Sequence, residues 1–367
     1  MEKNGLGKNK IPIYEPDLSG NELKYVTDCI TSGWVSSAGK YVKKFEGEFA
    51  KYIGTKYSTS TSNGTTALHL ALESFGITNG DEVIIPDFTF AATASSVMHA
   101  GAKPIVADIN KSTLNISVDS IREKITPKTK AIIPVHIYGA PAPMKEIMEL
   151  AKEKNLIVIE DAAEAHGAMI GSKKVGSFGD AAIFSFYGNK ILTSGEGGII
   201  VSDNEKIIKK ANILKNHGMS STKKYWHEVV GYNYRLTNVQ AAIGLEQLER
   251  IEEIIEKKIC VAKNYEKLLS GTNYLQVPIQ EKNTRNVYWM YWIISHSKEN
   301  SIKKISTNLA NEGIETRPMF YPLSTMLPFK QQTTKNSIAI SQNGLCLPSS
   351  STLTQKIQEK ISSIIIS

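Results

Sequence analysis

Asn155-Leu-Ile-Val-Ile-Glu-Asp161 and Ala181-Ala-Ile-Phe-Ser-Phe186 are two short apolar runs, and the residues at the end of each decide how the chain is read. The first ends in two acids. The second passes directly into Tyr187-Gly-Asn-Lys190 and then Ser194-Gly-Glu-Gly-Gly198. Apolar runs of this length read as strands buried on both faces, as in parallel sheets covered by helices. Further runs at 82–85, 103–108, 131–136 and 198–201 alternate with helix-like segments near 65–75, 90–100, 117–124 and 144–153. Strands alternating with helices between Thr55 and Asp203 predict an α/β fold with a mostly parallel sheet. Beyond it, Ala241, Leu245, Leu248, Ile251, Ile255 and Ile259 recur at helical spacing, so a long helix is expected from Asn238 to about Leu269. A strand-like run at 287–294 and helices at 302–312 and 354–365 predict a smaller α+β unit. The expected division is a large domain at 11–250 and a smaller C-terminal one at 251–367.

Composition narrows the function classes. With 41% apolar and 22% charged residues, the 367-residue chain can build an ordinary packed core. The net charge of +7 comes from lysines scattered among acids along helical stretches, with five arginines in all. That is a solvated surface rather than a nucleic-acid stripe, and it suits a small anionic substrate. No run approaches the ~18–20 apolar residues of a membrane span. The first ten residues carry four charges and no apolar core, so no secretory leader is expected. Cys29, Cys260 and Cys346 lack metal or redox spacing. They read as inert thiols in a reducing, cytoplasmic setting.

Three local features carry chemistry. In an open α/β sheet, ligands bind at the carboxyl ends of strands, which places Asp161 and Lys190 at a candidate site. Asp161 alone reads equally as a helix N-cap, and a lone lysine is ordinarily solvated. Upstream, Ser62-Asn-Gly-Thr-Thr-Ala67 opens a helix with small hydroxyl residues. It is either an anion site or a plain capped start. No G-x-G-x-x-G or P-loop pattern occurs, which argues against a dinucleotide or P-loop nucleotide site. Taken together, an anion cradle, an acid for a ring nitrogen and an amine for an aldehyde meet the needs of pyridoxal phosphate (PLP).

Five motifs extend this reading: Ser62-Asn-Gly-Thr-Thr-Ala-Leu-His69, Ile159-Glu-Asp-Ala-Ala-Glu-Ala165, Phe184-Ser-Phe-Tyr-Gly-Asn-Lys190, Gly195-Glu-Gly-Gly198 and Gly231-Tyr-Asn-Tyr-Arg-Leu-Thr-Asn238. Over about residues 11–350 the chain resembles the DegT/DnrJ/StrS sugar aminotransferases. Trp34-Val-Ser-Ser37, Tyr225-Trp226, Tyr288-Trp-Met290 and Glu315-Thr-Arg-Pro-Met-Phe-Tyr-Pro322 resemble that family's GDP-perosamine-forming branch. The resemblance implies a fold-type I, aspartate-aminotransferase-like PLP enzyme. Lys190 would hold the cofactor and move protons, Asp161 would pair with the ring nitrogen, and Glu164 (Gln in many relatives) would bond the ring hydroxyl. The Thr65 and Thr66 amides and the Ser185 hydroxyl would hold the phosphate, and Phe90 would stack on the ring. Asn233 would reach the phosphate of a partner subunit, giving a homodimer with shared active sites.

On the substrate side the resemblance points to Trp34, to Arg317 for an anionic group, and to Ser324, which stands where the branch has His. Relatives that remove a sugar hydroxyl replace the lysine by His, so Lys190 favours transamination. The implied donor is glutamate. The implied acceptor is a nucleotide-linked 4-keto-6-deoxy sugar for surface polysaccharide, with another nucleotide ketosugar or a small phosphorylated ketone left open. A sensor on this fold and a cofactor-free Schiff-base aldolase are the rivals from other classes. His166, His217 and His227 read as structural, and no metal site is expected.

Overall fold

The computed structural model describes residues 10–367. Its strands in chain order are β1 (Tyr57–Thr61), β2 (Glu82–Pro86), β3 (Lys103–Ala107), β4 (Thr129–Ile132), β5 (Ile157–Asp161), β6 (Met169–Ile170), β7 (Lys173–Lys174), β8 (Ala181–Ser185), β9 (Gly198–Ser202), β10 (Leu275–Gln276), β11 (Thr284–Arg285), β12 (Tyr291–Ser295), β13 (Arg317–Pro318) and β14 (Gly344–Leu347). Seven of them form the main sheet, in the order β1-β9-β8-β5-β4-β2-β3. All neighbours pair in parallel except around β9, which runs against both β1 and β8. The other six strands therefore point the same way, and their carboxyl ends share one edge.

Both faces of the sheet are covered, as the unbroken apolar runs predict. In β8, Ala181 and Ile183 pack with the helices Gly64–Phe75, Ala92–His99 and Glu205–Lys215. Ala182 and Phe184 face the other way, onto Phe45 and Phe49 of the helix Lys40–Ile53 and onto the helix Asn238–Glu249. β2 splits likewise: Val83 and Ile85 turn to one cluster, and Ile84 turns to another with Ile147 and Leu150 of the helix Met144–Lys154. β1 escapes the apolar-run reading because its sequence is Tyr-Ser-Thr-Ser-Thr. Its buried hydroxyls are satisfied locally, Ser60 by Glu46 at 2.7 Å and Thr59 by Asn212 at 2.7 Å.

The expected long helix is two helices, Asn238–Glu249 and Ile251–Leu268, broken at Arg250 (φ −111°, ψ 11°). At the break the guanidinium turns back into a buried acidic cluster. Nε meets Glu246 at 2.9 Å, and Nη2 meets both Glu22 at 3.0 Å and the Asp17 carbonyl at 3.1 Å. Apolar periodicity registers only the buried stripe, which continues through the break with Ile251, Ile254 and Ile255.

A second, wholly antiparallel sheet, β10-β12-β14-β13, uses residues after Thr272. The chain start docks on this region: Ile11 bridges to Ile314, and the Ile13 carbonyl accepts from Ser349 N–H. β11-β6-β7 form a third, three-stranded sheet, whose Ile170 packs against the cluster that holds Ile84, Ile132 and Val158 of the main sheet. Among the described residues no helix is long and apolar enough to cross a membrane.

Removing the shared cation should expose the cost of the acidic cluster. Arg250→Met is expected to lower stability by about 3 kcal/mol, because buried carboxylates lose their partner. The urea unfolding midpoint, followed by circular dichroism, checks this; an unchanged midpoint would show that the cluster holds nothing together.

Candidate active site

The common strand direction gathers the expected chemical groups at one edge of the sheet. Asp161 ends β5, Ser185 ends β8, and β1 leads through Ser62 and Asn63 into the Gly64–Phe75 helix. Tyr187–Lys190 form a turn closed by Lys190 N–H on the Tyr187 carbonyl at 2.9 Å. From that turn the Lys190 amine reaches 3.7 Å from Glu164 Oε1 and 3.8 Å from the centroid of the Trp289 ring.

No regular helix comes after Asp161, so it is not a helix cap. Its Oδ1 accepts from Ala163 N–H at 3.2 Å and its Oδ2 from the Thr93 hydroxyl at 2.9 Å. Burial raises its proton affinity, and these bonds and the Lys190 charge oppose the rise. Glu164 Oε2 accepts from Tyr138 N–H at 2.8 Å. Burial pushes this carboxyl up to about 7 against the pull of Lys190. Burial also lowers the proton affinity of Lys190, which Glu164 and Asp161 partly restore. A buried amine that gives up its proton readily is the nucleophile that Schiff-base chemistry requires.

The start of the Gly64–Phe75 helix is an anion cradle of limited width. Asn63 and Thr66 form a capping box, with the Thr66 amide donating to Asn63 Oδ1 at 2.9 Å. The Thr66 amide, expected on the phosphate, is engaged within the helix cap in this structure. The amides of Gly64 and Thr65 have no acceptor among the described residues. Ser185 stands against them so closely that a Cβ at Gly64 would lie 2.8 Å from Ser185 Cβ. Free amides and a hydroxyl at a helix N-terminus favour a phosphate. The groups present therefore fit PLP: Gly64, Thr65 and Ser185 for the phosphate, Asp161 for the ring nitrogen, Glu164 for the hydroxyl and Lys190 for the aldehyde.

Phe90 is exposed at the same edge, with its ring centroid 6.2 Å from that of Phe320. Trp34, Arg317 and Asn233 are also exposed, and Arg317 has no carboxylate partner among the described residues. Ser324 is placed otherwise. It is 0% exposed, and both its amide (2.7 Å) and its hydroxyl (2.8 Å) donate to the Asp87 carboxylate, which Thr334 also contacts at 2.6 Å. In this structure Ser324, expected on the substrate side, ties its segment to the end of β2. Sequence reasoning assigned no role to Thr93 or Tyr138, since nothing in a lone Thr or Tyr signals a neighbour of a buried carboxylate, and Trp289 entered it only within the Tyr288-Trp-Met290 stretch. His166 is buried among Phe49, Phe184 and Phe186, and burial lowers its pKa to about 3, consistent with a neutral structural ring.

Comparison with known proteins matches residues 16–366 to the DegT/DnrJ/EryC1/StrS aminotransferase family. A GDP-perosamine synthase of Vibrio cholerae is 46% identical over 344 residues, covering 92% of this chain and 94% of that protein. A GDP-perosamine synthase of Escherichia coli O157:H7 is 44% identical, covering 94% and 95%. The crystal structure of the aminotransferase TlmJ from Streptoalloteichus hindustanus superposes with a TM-score of 0.93 at 27% identity, covering 97% of this chain and 98% of that one.

The Glu164 carboxyl yields a pH test in the cofactor-free chain. The folded state keeps a proton up to about pH 7 that the unfolded chain releases near pH 4.5. Its contribution to stability is therefore full below the lower value and is lost as pH rises through the upper one. Glu164→Gln cannot titrate, so its unfolding midpoint should depend less on pH across that window and should gain on the wild type near neutrality. Parallel pH profiles for the two proteins would count against a buried, protonated Glu164.

Proposed function

The chain belongs to the DegT/DnrJ/EryC1/StrS aminotransferase family and is a PLP-dependent aminotransferase; on that premise we propose that it moves the amino group of glutamate to the C4 keto carbon of GDP-4-keto-6-deoxymannose. The observation that carries the acceptor is the end-to-end match to two GDP-perosamine synthases at 46% and 44% identity. The product would serve surface polysaccharide synthesis, and three unpaired cysteines accord with a reducing, cytoplasmic setting.

When bound, PLP supplies an aldehyde to receive the nitrogen and a protonated ring to take up the electrons of a deprotonated carbon. The protein does the rest. Asp161 keeps its charge beside a cationic ring nitrogen, because the opposite charge offsets the burial that otherwise protonates it. Glu164 holds the ring hydroxyl while anchored by Tyr138 N–H. Gly64, Thr65 and Ser185 would hold the phosphate and so orient the cofactor. Lys190 Nζ, its proton affinity lowered by burial, would take a proton from the donor carbon as general base and give one back as general acid. Glutamate leaves as 2-oxoglutarate, and the reverse proton movements deliver the nitrogen to the acceptor ketone. Arg317, exposed and without an acidic partner among the described residues, suits a carboxylate or phosphate of donor or acceptor, and Trp34 offers an exposed aromatic face.

The active unit is a homodimer in this reading. Asn233 is exposed, and its side chain has no partner among the described residues. It lies just after a segment that leaves Tyr225, Trp226, Val229 and Val230 exposed. Such a surface is suited to a second copy, with Asn233 reaching the partner's phosphate.

Two experiments test the proposal. With glutamate as donor, kcat/KM should be highest for the GDP-linked ketosugar among GDP-, UDP- and dTDP-linked 4-keto-6-deoxy sugars and a simple keto-phosphate. A preference for any of the others refutes the acceptor and leaves the PLP chemistry standing. Lys190→Ala and Asn233→Ala should each be nearly inactive yet regain part of the activity on mixing, because a mixed dimer holds one intact site. No recovery despite proven subunit exchange would mean that each site closes within one chain.

A further inference from the structure

Lys258 is 1% exposed and faces no carboxylate among the described residues. Its ammonium donates to the carbonyl of Trp289 at 3.1 Å and to that of Ser349, and lies 5.3 Å from the centroid of the Tyr14 ring. Burying a cation without a counter-ion is costly, and carbonyls repay only part of that cost. The residue it holds is the one beneath the active-site amine. The Trp289 indole lies 3.8 Å, at its centroid, from Lys190 Nζ. Its Nε1–H donates to the carbonyl of Asn189, the residue before Lys190, at 2.6 Å. The Tyr14 hydroxyl donates to the Lys190 carbonyl itself at 2.7 Å. Trp289 is thus fixed at its backbone by Lys258 and at its ring edge by the loop that carries Lys190, leaving its face to the amine.

We propose that Trp289 is a positioning residue, an aromatic seat on which the free amine of Lys190 rests, and that Lys258 holds this seat in place. The proposal rests on reading Lys190 as the amine that bears the cofactor. An aromatic face attracts the ammonium form through its quadrupole and leaves the neutral amine nearly unaffected. The seat therefore opposes the effect of burial. It keeps Lys190 within proton-transfer range and prevents its proton affinity from falling so far that it cannot act as an acid. Glu164 pulls in the same direction from 3.7 Å.

The test reads the proton affinity of Lys190 in the full-length chain freed of cofactor. Trace acetylation with acetic anhydride at a series of pH values, quantified at Lys190 by mass spectrometry, gives its pKa directly. Trp289→Leu should lower that pKa by about one unit, the size expected for a desolvated cation–π contact. Trp289→Phe, with a smaller face, should fall between the two. Lys258→Met should shift the pKa downward in the presence of Trp289 and add nothing to Trp289→Leu, because Lys258 acts through the indole. If Lys258→Met fails to fold, Lys258→Gln keeps one donor and is read in the same way. An unchanged pKa in Trp289→Leu overturns the seat. No shift in the Lys258 variant, or a rise as from relief of charge repulsion, overturns the anchor. Borohydride reduction of the wild-type enzyme loaded with PLP, with peptide mapping of the product, is a separate arm. Cofactor found on another lysine would overturn the reading of Lys190 and leave the labelling result to judge the seat alone.

Discussion

One primary amine and two carboxyls, held together out of water at the end of a parallel sheet, are the constraint on which the rest of this structure depends. Burial disfavours the charged form of each, raising Asp161 and Glu164 and lowering Lys190, while their mutual attraction pulls the other way. The balance leaves an amine that can lose its proton and an acid poised near neutrality. Neither property survives in a solvated site, where each group returns to its ordinary value. The scaffold has to keep the three groups buried, close and fixed.

The sheet meets this demand through strand direction. Six of the seven main strands run the same way, so Asp161, Ser185 and the Asn63 cap emerge on one edge although 122 residues separate the first and last in sequence. The single reversed strand, β9, lets the chain return and pair β1 beside it. That pairing brings the Gly64 helix start against Ser185. The missing side chain at Gly64 makes the approach possible, since a Cβ there would collide with Ser185.

Support also comes from parts of the chain distant from the motifs. Tyr138 lends its amide to Glu164 and stacks on Phe320, with ring centroids 5.2 Å apart. Tyr14, near the chain start, and Trp289, leading into β12, grip the Lys190 loop from the side of the second sheet. Asp87 at the end of β2 clamps Ser324 and Thr334 and fixes the segment after Phe320. The large sheet presents the reactive groups. The C-terminal region and the chain start hold the lysine loop still.

By itself the sequence determined the α/β architecture, because strands buried on both faces must be written as apolar runs, and Val83–Ile85 and Ala181–Phe184 are such runs. Strand ends and a glycine-rich turn singled out Asp161 and Lys190, whereas Glu164 and Ser185 entered only through the family resemblance. The sequence reading missed β1, whose stability comes from hydroxyls paired with Glu46 and Asn212. It ran one helix through Arg250, because the buried apolar stripe that periodicity detects continues across the break. The choice between anion site and capped start at 62–67 stayed open in the sequence. Only the tertiary structure decided that Ser324 is sealed onto Asp87 and that Trp289 lies under the amine. Each of these rests on a contact between groups far apart in sequence, which no local pattern encodes.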